Sequence, residues 1–317
     1  MRSWIVVVAL AGLQLAPVAD VRIPGTATRL DYQSLDPGRH LLFIAHLGDG
    51  TIIVFDTKTL RVTAVIRDVS DVHGVLVVPE EHTVFASATG TNEVIALDER
   101  TFHVMWRVSG GSYPDGLAYD PNTRRLFVSD EHGGTETVVD TKSHQSIATI
   151  PLGGEAGNTQ YDAQSHHIFV NVQTSEQLVE IDPRRNAVVR RFSVGGSGCS
   201  GNHGLLIDSR KRRAFVACED SNSLLWIDMR NMRTVRTWTV GAGPDVLALD
   251  TKSDRLFVAA ESGTVSVFLN KARVTLLGQS FLAANAHSVA VDSRTQLVYF
   301  PLENVGGAPV LRIMAER

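Results

Sequence analysis

Cysteine is scarce: Cys199 and Cys218 are the only two in 317 residues. That excludes a disulfide-dense scaffold, and covalent haem is unsupported because no CxxCH occurs. A basic excess is also missing. Thirty Lys and Arg face 34 Asp and Glu, for a formal net charge of -4, so no nucleic-acid partner is indicated. Aromatic residues make up 7%, and nothing resembles a stacking platform for single-stranded nucleic acid. The apolar run Trp4–Leu15 is too short to span a bilayer comfortably, so no transmembrane domain is expected in the mature chain. No nucleophile elbow, Walker loop or dinucleotide fingerprint appears, hence no nucleotide cofactor is indicated. Gly48–Gly50 (GDG) is a hairpin turn.

What the chain does contain is a repeat. Pro114–Ile150 divides into four short strands separated by turns at Pro121–Arg124, at Gly133–Gly134 and after Asp140. Its second-strand aromatic, Phe127, has counterparts at Phe43, Phe85, Phe169, Phe215, Phe257 and Tyr299, spaced by 42 residues except for one interval of 46. Asp56, Asp98, Asp140, Asp182 and Asp228 mark the third strand at matching intervals. The frame predicts an all-β fold, a seven-bladed β-propeller of four-stranded antiparallel blades filling residues 20–317 as one domain. The last repeat supplies only three strands. Ala19–Ile23 is therefore expected to add an N-terminal outer strand to the last blade and close the ring.

Residues 1–19, with Arg2, the apolar run and small residues at Ala16 and Ala19, read as a secretory signal segment of undetermined cleavage point. The expected location is periplasmic or extracellular. Cys199 lies in the insertion that lengthens the fifth repeat, and Cys218 ends that repeat's second strand. A disulfide across the insertion is the expectation, with buried free thiols or metal thiolates as the alternatives. The basic run Arg210–Arg213 reads as a solvated turn, with a local anionic contact as the alternative.

The motifs VGAGPDVLALDTKSDRLFVAAESGTVSVF and GGSYPDGLAYDPNTRRLFVSDEHGGTETVVDTKS resemble the YVTN-type repeats of the YncE-like propeller family over essentially all of the chain after the signal segment. The resemblance implies the fold. It leaves surface protein, periplasmic binding protein and enzyme all open, so function rests on the site.

One column of the repeat points to a site. Asp31, His73, Asp115, Gly157, His203, Asp245 and His287 occupy equivalent places on the innermost strands and should ring one mouth of the axial channel. His73, His203 and His287 come from nearly even thirds of the ring and are the expected ligands of a divalent transition metal: zinc, copper, manganese or iron. Asp31, Asp115 and Asp245 would orient them from neighbouring blades. The second-to-third-strand turns add His46 and His132 as further candidate ligands, Glu131 as a candidate catalytic group beside the three aspartates, and Asp220, Glu219, Glu261 and Glu303 toward a ligand. Two functions follow. One is a metal-dependent lyase or hydrolase acting on an extracytoplasmic small molecule or sugar derivative, with copper or iron redox chemistry less favoured. The other is a non-enzymatic scaffold that binds a small-molecule ligand or an envelope protein. A calcium-dependent lactonase-type site would want oxygen ligands only, and the three histidines argue against it.

Overall fold

The computed structural model describes residues 15–317. All but the last residue of the apolar run Trp4–Leu15 falls outside them, as does most of the expected signal segment. Seven four-stranded antiparallel sheets follow one another around a ring. The third blade shows the pattern: Pro114–Asp120 innermost, then Arg125–Asp130, Thr135–Asp140 and Gln145–Pro151. In the seventh, Ala290–Asp292, Leu297–Leu302 and Val310–Glu316 are joined by Leu15–Arg22 as outermost strand. That strand starts earlier than Ala19 and includes both Ala16 and Ala19. Its Leu15 is buried with Val298 and Met314, and Asp20 receives two hydrogen bonds from Arg312, at 2.8 and 2.7 Å.

The second strands are the core. Leu41–His46 and Thr83–Ala88 are buried at every position, because one face of each sheet meets the blade before and the other the blade after. Phe43, for example, shares a cluster with Val75, Val84 and Ala86 of the next blade. All seven members of the aromatic column are at most 2% exposed. Each such burial contributes roughly 1.5–3 kcal/mol.

The third-strand aspartates terminate their strands. Asp56 accepts the N–H groups of Lys58 and Thr59, and Asp98 and Asp140 accept equivalent pairs, tightening the turn to the outer strand. Blade six has Asn270 instead, whose amide donates to Asp208 of blade five at 2.8 Å. The basic run is not a solvated turn. Lys211 pairs with Asp254 of blade six, Arg212 with Asp162 of blade four, and Arg213 with Asn270. It stitches three blades together.

Candidate functional site

In blades two to six the ladder between first and second strands slips at one place: between Val72 and Val75, Pro114 and Leu117, Ala156 and Thr159, Asn202 and Leu205, and Pro244 and Leu247. The unpaired residues are those of the ring column and their successors. A bulge re-aims its side chain out of the pleat, so His73, Asp115, His203 and Asp245 owe their direction to it. Second-strand side chains repair the gap. Ser87 accepts the Gly74 N–H at 2.7 Å and donates to the Asp115 carbonyl of the next blade at 2.8 Å. Asn171 donates to the carbonyls of His203 and Gly204, both at 3.0 Å. The backbones nearly touch here: a Cβ on Gly74 or Gly204 would lie 2.2 or 1.9 Å from the carbonyl oxygen of Asp115 or Asp245. At Gly157, the gap in the ring, a Cβ would meet the His203 backbone at 2.9 Å.

These residues border a cavity of about 550 Å³ on the axis. Seven acidic side chains line it, Asp31, Asp71, Asp115, Glu131, Glu219, Asp245 and Glu261, against a single arginine, Arg29. Asp115 and Asp245 are 2% exposed. Neither oxygen of Asp115, and not Oδ1 of Asp245, has a hydrogen-bond partner among the described residues. Such groups are costly to leave unmatched.

His203 lies between the two, with Nε2 3.8 Å from Asp115 Oδ2 and 3.6 Å from Asp245 Oδ1, and the hydroxyl of Tyr32 from blade one is 3.2 Å from the same nitrogen. Burial pushes the Asp115 and Asp245 carboxyl groups well above the usual range, opposed by His203 and His287 respectively. Burial depresses His203, but the carboxylates of Glu219, Asp115, Glu131 and Asp31 outweigh it and raise the imidazole. Glu219 is raised by burial as well. All four shifts run toward protonation, driven by burial at the three carboxyl groups and by the surrounding carboxylates at His203.

Two groups of side chains bring potential ligand atoms within 4.8 Å of one another: Asp31, Asp245 and His287, and His203, Glu219 and Asp245. Each holds one imidazole, and Asp245 belongs to both. The three histidines expected to converge therefore do not form one ligand set among the described residues. His287 contacts the Asn285 carbonyl through Nδ1 at 3.0 Å, which leaves a buried Nε2 without a partner. A backbone acceptor on one nitrogen fixes the tautomer that presents the other to a metal. His73 stands apart because both its nitrogens are engaged, Nδ1 with the Asp71 carbonyl at 2.9 Å and Nε2 with the Tyr113 hydroxyl at 3.1 Å.

Of the turn residues, Glu131, Glu219 and Glu261 reach the cavity, while four others do not. His46 is buried behind its turn, 3.1 Å from Thr28 Oγ1 and 3.7 Å from Asp49, and burial lowers its pKa. His132 lies against the Tyr113 ring at 4.1 Å between centroids. Glu303 accepts from Asn285 at 2.8 Å, and Asp220 sits beside Gly201. Cys199 and Cys218 are joined by a disulfide, so neither is a thiolate ligand.

Sequence reasoning missed Arg29, Tyr32 and Tyr113. A signal was present for Tyr32, which fills the place after the ring residue where Gly74, Gly116 and Gly204 stand in other blades. The chain spends a large side chain where the repeat demands none.

No model of a known protein family matches the chain, and no curated protein matches it in sequence. Solved structures do. Kuenenia stuttgartiensis hydrazine synthase is similar with a TM-score of 0.75 and 14% identity, over 89% of this chain and 94% of that one. A structure of U3-55K reaches 0.79 at 12% identity, over 95% and 100%. The WD40 repeats of RRP9 reach 0.78 at 11%, over 95% and 99%. At such identities the likeness establishes a shared seven-bladed propeller fold and leaves chemistry to the site.

Proposed function

We propose that this is an exported propeller of the YncE-like, YVTN-repeat type whose axial mouth binds a divalent metal ion and serves lyase or hydrolase chemistry on a small polar molecule. One observation carries the metal: Asp115, Asp245 and His287 are buried at the mouth with unpartnered ligand atoms amid an excess of carboxylates over cations. Carboxylate and imidazole together suit zinc, manganese or iron, and either Asp31, Asp245 and His287 or His203, Glu219 and Asp245 would hold the ion. Bound there, a metal would supply Lewis acidity. Asp115, outside both sets, is a carboxyl group whose burial raises its proton affinity and suits it to hold a proton beside the ion. The cavity leaves room for a small molecule beside an ion. Export is supported by the apolar N-terminal run and by a disulfide, which persists in oxidising compartments.

The test is elemental analysis and titration calorimetry with zinc, manganese and iron on protein carrying no His tag. One equivalent of metal is expected in the parent. It should be lost in Asp245→Asn, which breaks both ligand sets, and kept in Glu303→Gln, which alters a carboxylate away from the cavity. A parent that binds none of these metals would overturn the reading and leave the mouth as a metal-free binding surface.

A further inference from the structure

Arg29 is the one arginine on the cavity wall, and its surroundings are those of a counter-ion. Its guanidinium is 2.8 Å from Glu261, 3.4 Å from Asp31 and 4.0 Å from Asp245. Asp31 and Asp245 belong to the fully buried ligand set, and Glu261 lies 3.9 Å from its third member, His287. The arginine thus stands against the carboxylates that a metal would need. It is also a poor fit. Only the Glu261 contact falls within the range of a charge-assisted hydrogen bond, one positive charge faces three carboxylates, and the side chain is 40% exposed. The repeat does not call for it: two residues before the ring column the other blades carry Asp71, Tyr113, Glu155, Gly201, Gly243 and Asn285, none of them basic.

We infer that Arg29 is a tethered competitor of the metal, occupying the carboxylates of the axial site until a divalent cation displaces its guanidinium toward solvent. This rests on the metal-binding reading above. Two cations that need the same carboxylates bind antagonistically, and the coupling is reciprocal. The partly exposed side chain has an outlet to solvent, and the contacts it gives up with the buried Asp31 and Asp245 are those the incoming cation takes over. Arg29 also offsets part of the repulsion among Asp31, Asp245 and Glu261.

The experiment titrates manganese and zinc separately into the full chain and into Arg29→Met, Arg29→Lys and Arg29→Gly, with thermal melts to establish that each is folded. Arg29→Met should bind the metal at least tenfold more tightly than the parent, and Arg29→Lys by an intermediate factor, because a point charge replaces the planar fork. In Arg29→Gly, millimolar free guanidinium should compete with the metal and restore parent-like affinity, while leaving the parent unaffected. A merely structural arginine would show no such competition. Unchanged or weaker affinity in a folded Arg29→Met would overturn the inference while the metal site stands. Failure of parent and variants alike to bind would overturn both. Metal binding by the variants alone would overturn displacement and leave Arg29 as the permanent occupant of the site.

Discussion

Away from the axis, Glu99 follows the third strand of blade two and meets Asp36 of blade one. Its side chain is fully buried, with Arg39 Nε 3.6 Å from Oε1. Burial, followed by the hydrogen bond and charge of Asp36, pushes the Glu99 carboxyl up to about 7. Asp36 is lowered: the bonds from Glu99 and from the Arg39 and Gly38 N–H groups outweigh its burial. Of the two carboxyl groups, Glu99 is therefore the one that holds a proton more firmly. A group whose folded pKa lies above its unfolded value of 4.5 binds a proton that the unfolded chain has released. It stabilises the fold at acid pH and loses that contribution as pH rises from about 4.5 through 7. Glu99→Gln keeps the shape of the side chain without the charge. Its thermal midpoint should equal the parent's at pH 5 and exceed it at pH 8 by roughly 2–4 °C, the size of about 1 kcal/mol in a large domain. Equal midpoints at both values would refute the raised Glu99 carboxyl. At this scale the sequence was legible where periodicity speaks. Phe127 and its counterparts announce the core through spacing alone. Asp245 and His287 were legible as ring members, but Arg29 was not, because its contacts join blades one and six, and no local pattern encodes a neighbour more than 200 residues away.

At the scale of the element, the strands and turns followed from the repeat, whereas the bulge in the innermost strands of blades two to six did not. The sequence places Asp115 in the ring column, but the slip of the ladder between Pro114 and Leu117 that turns its side chain out of the pleat is visible only in the structure. His73 shows the limit: it belongs to the same column, yet Tyr113 and the Asp71 carbonyl take its nitrogens. The insertion in blade five has a similar lesson. The Cys199–Cys218 bridge spans 19 positions and encloses His203, so it fastens a candidate ligand as well as a loop. Closing a loop of that size stabilises by about 3 kcal/mol. The double variant Cys199→Ser, Cys218→Ser should lose about that much in urea unfolding, and its metal affinity should fall with it. A variant that loses stability but binds metal unchanged would show that the bridge serves the fold alone.

At the scale of the whole molecule, one strand decides whether the ring is closed. Leu15–Arg22 pairs with Val310–Glu316 over nearly its full length. Chains starting at Leu15 and at Asp20 should therefore behave differently. The shorter one forfeits the first half of the ladder and the buried Leu15, a loss of about 3 kcal/mol or more at roughly 0.5–1.5 kcal/mol per net hydrogen bond plus one apolar side chain. By contrast, Asp20→Ala removes a partly exposed ion pair with Arg312 and should cost no more than about 1 kcal/mol. Chemical denaturation of the three proteins measures both. Equal stability of the two truncations would mean that residues 15–19 contribute nothing to closure. If the chain is exported as proposed, a cut N-terminal to Leu15 would leave the whole strand in place. The same pairing sets a clock. At about 5–20 residues per second a ribosome needs roughly 15–60 s for a chain of this length, and the strand made first must wait for the one made last. For that interval the newborn protein carries two open edges that only its own completion, or a chaperone, can cover.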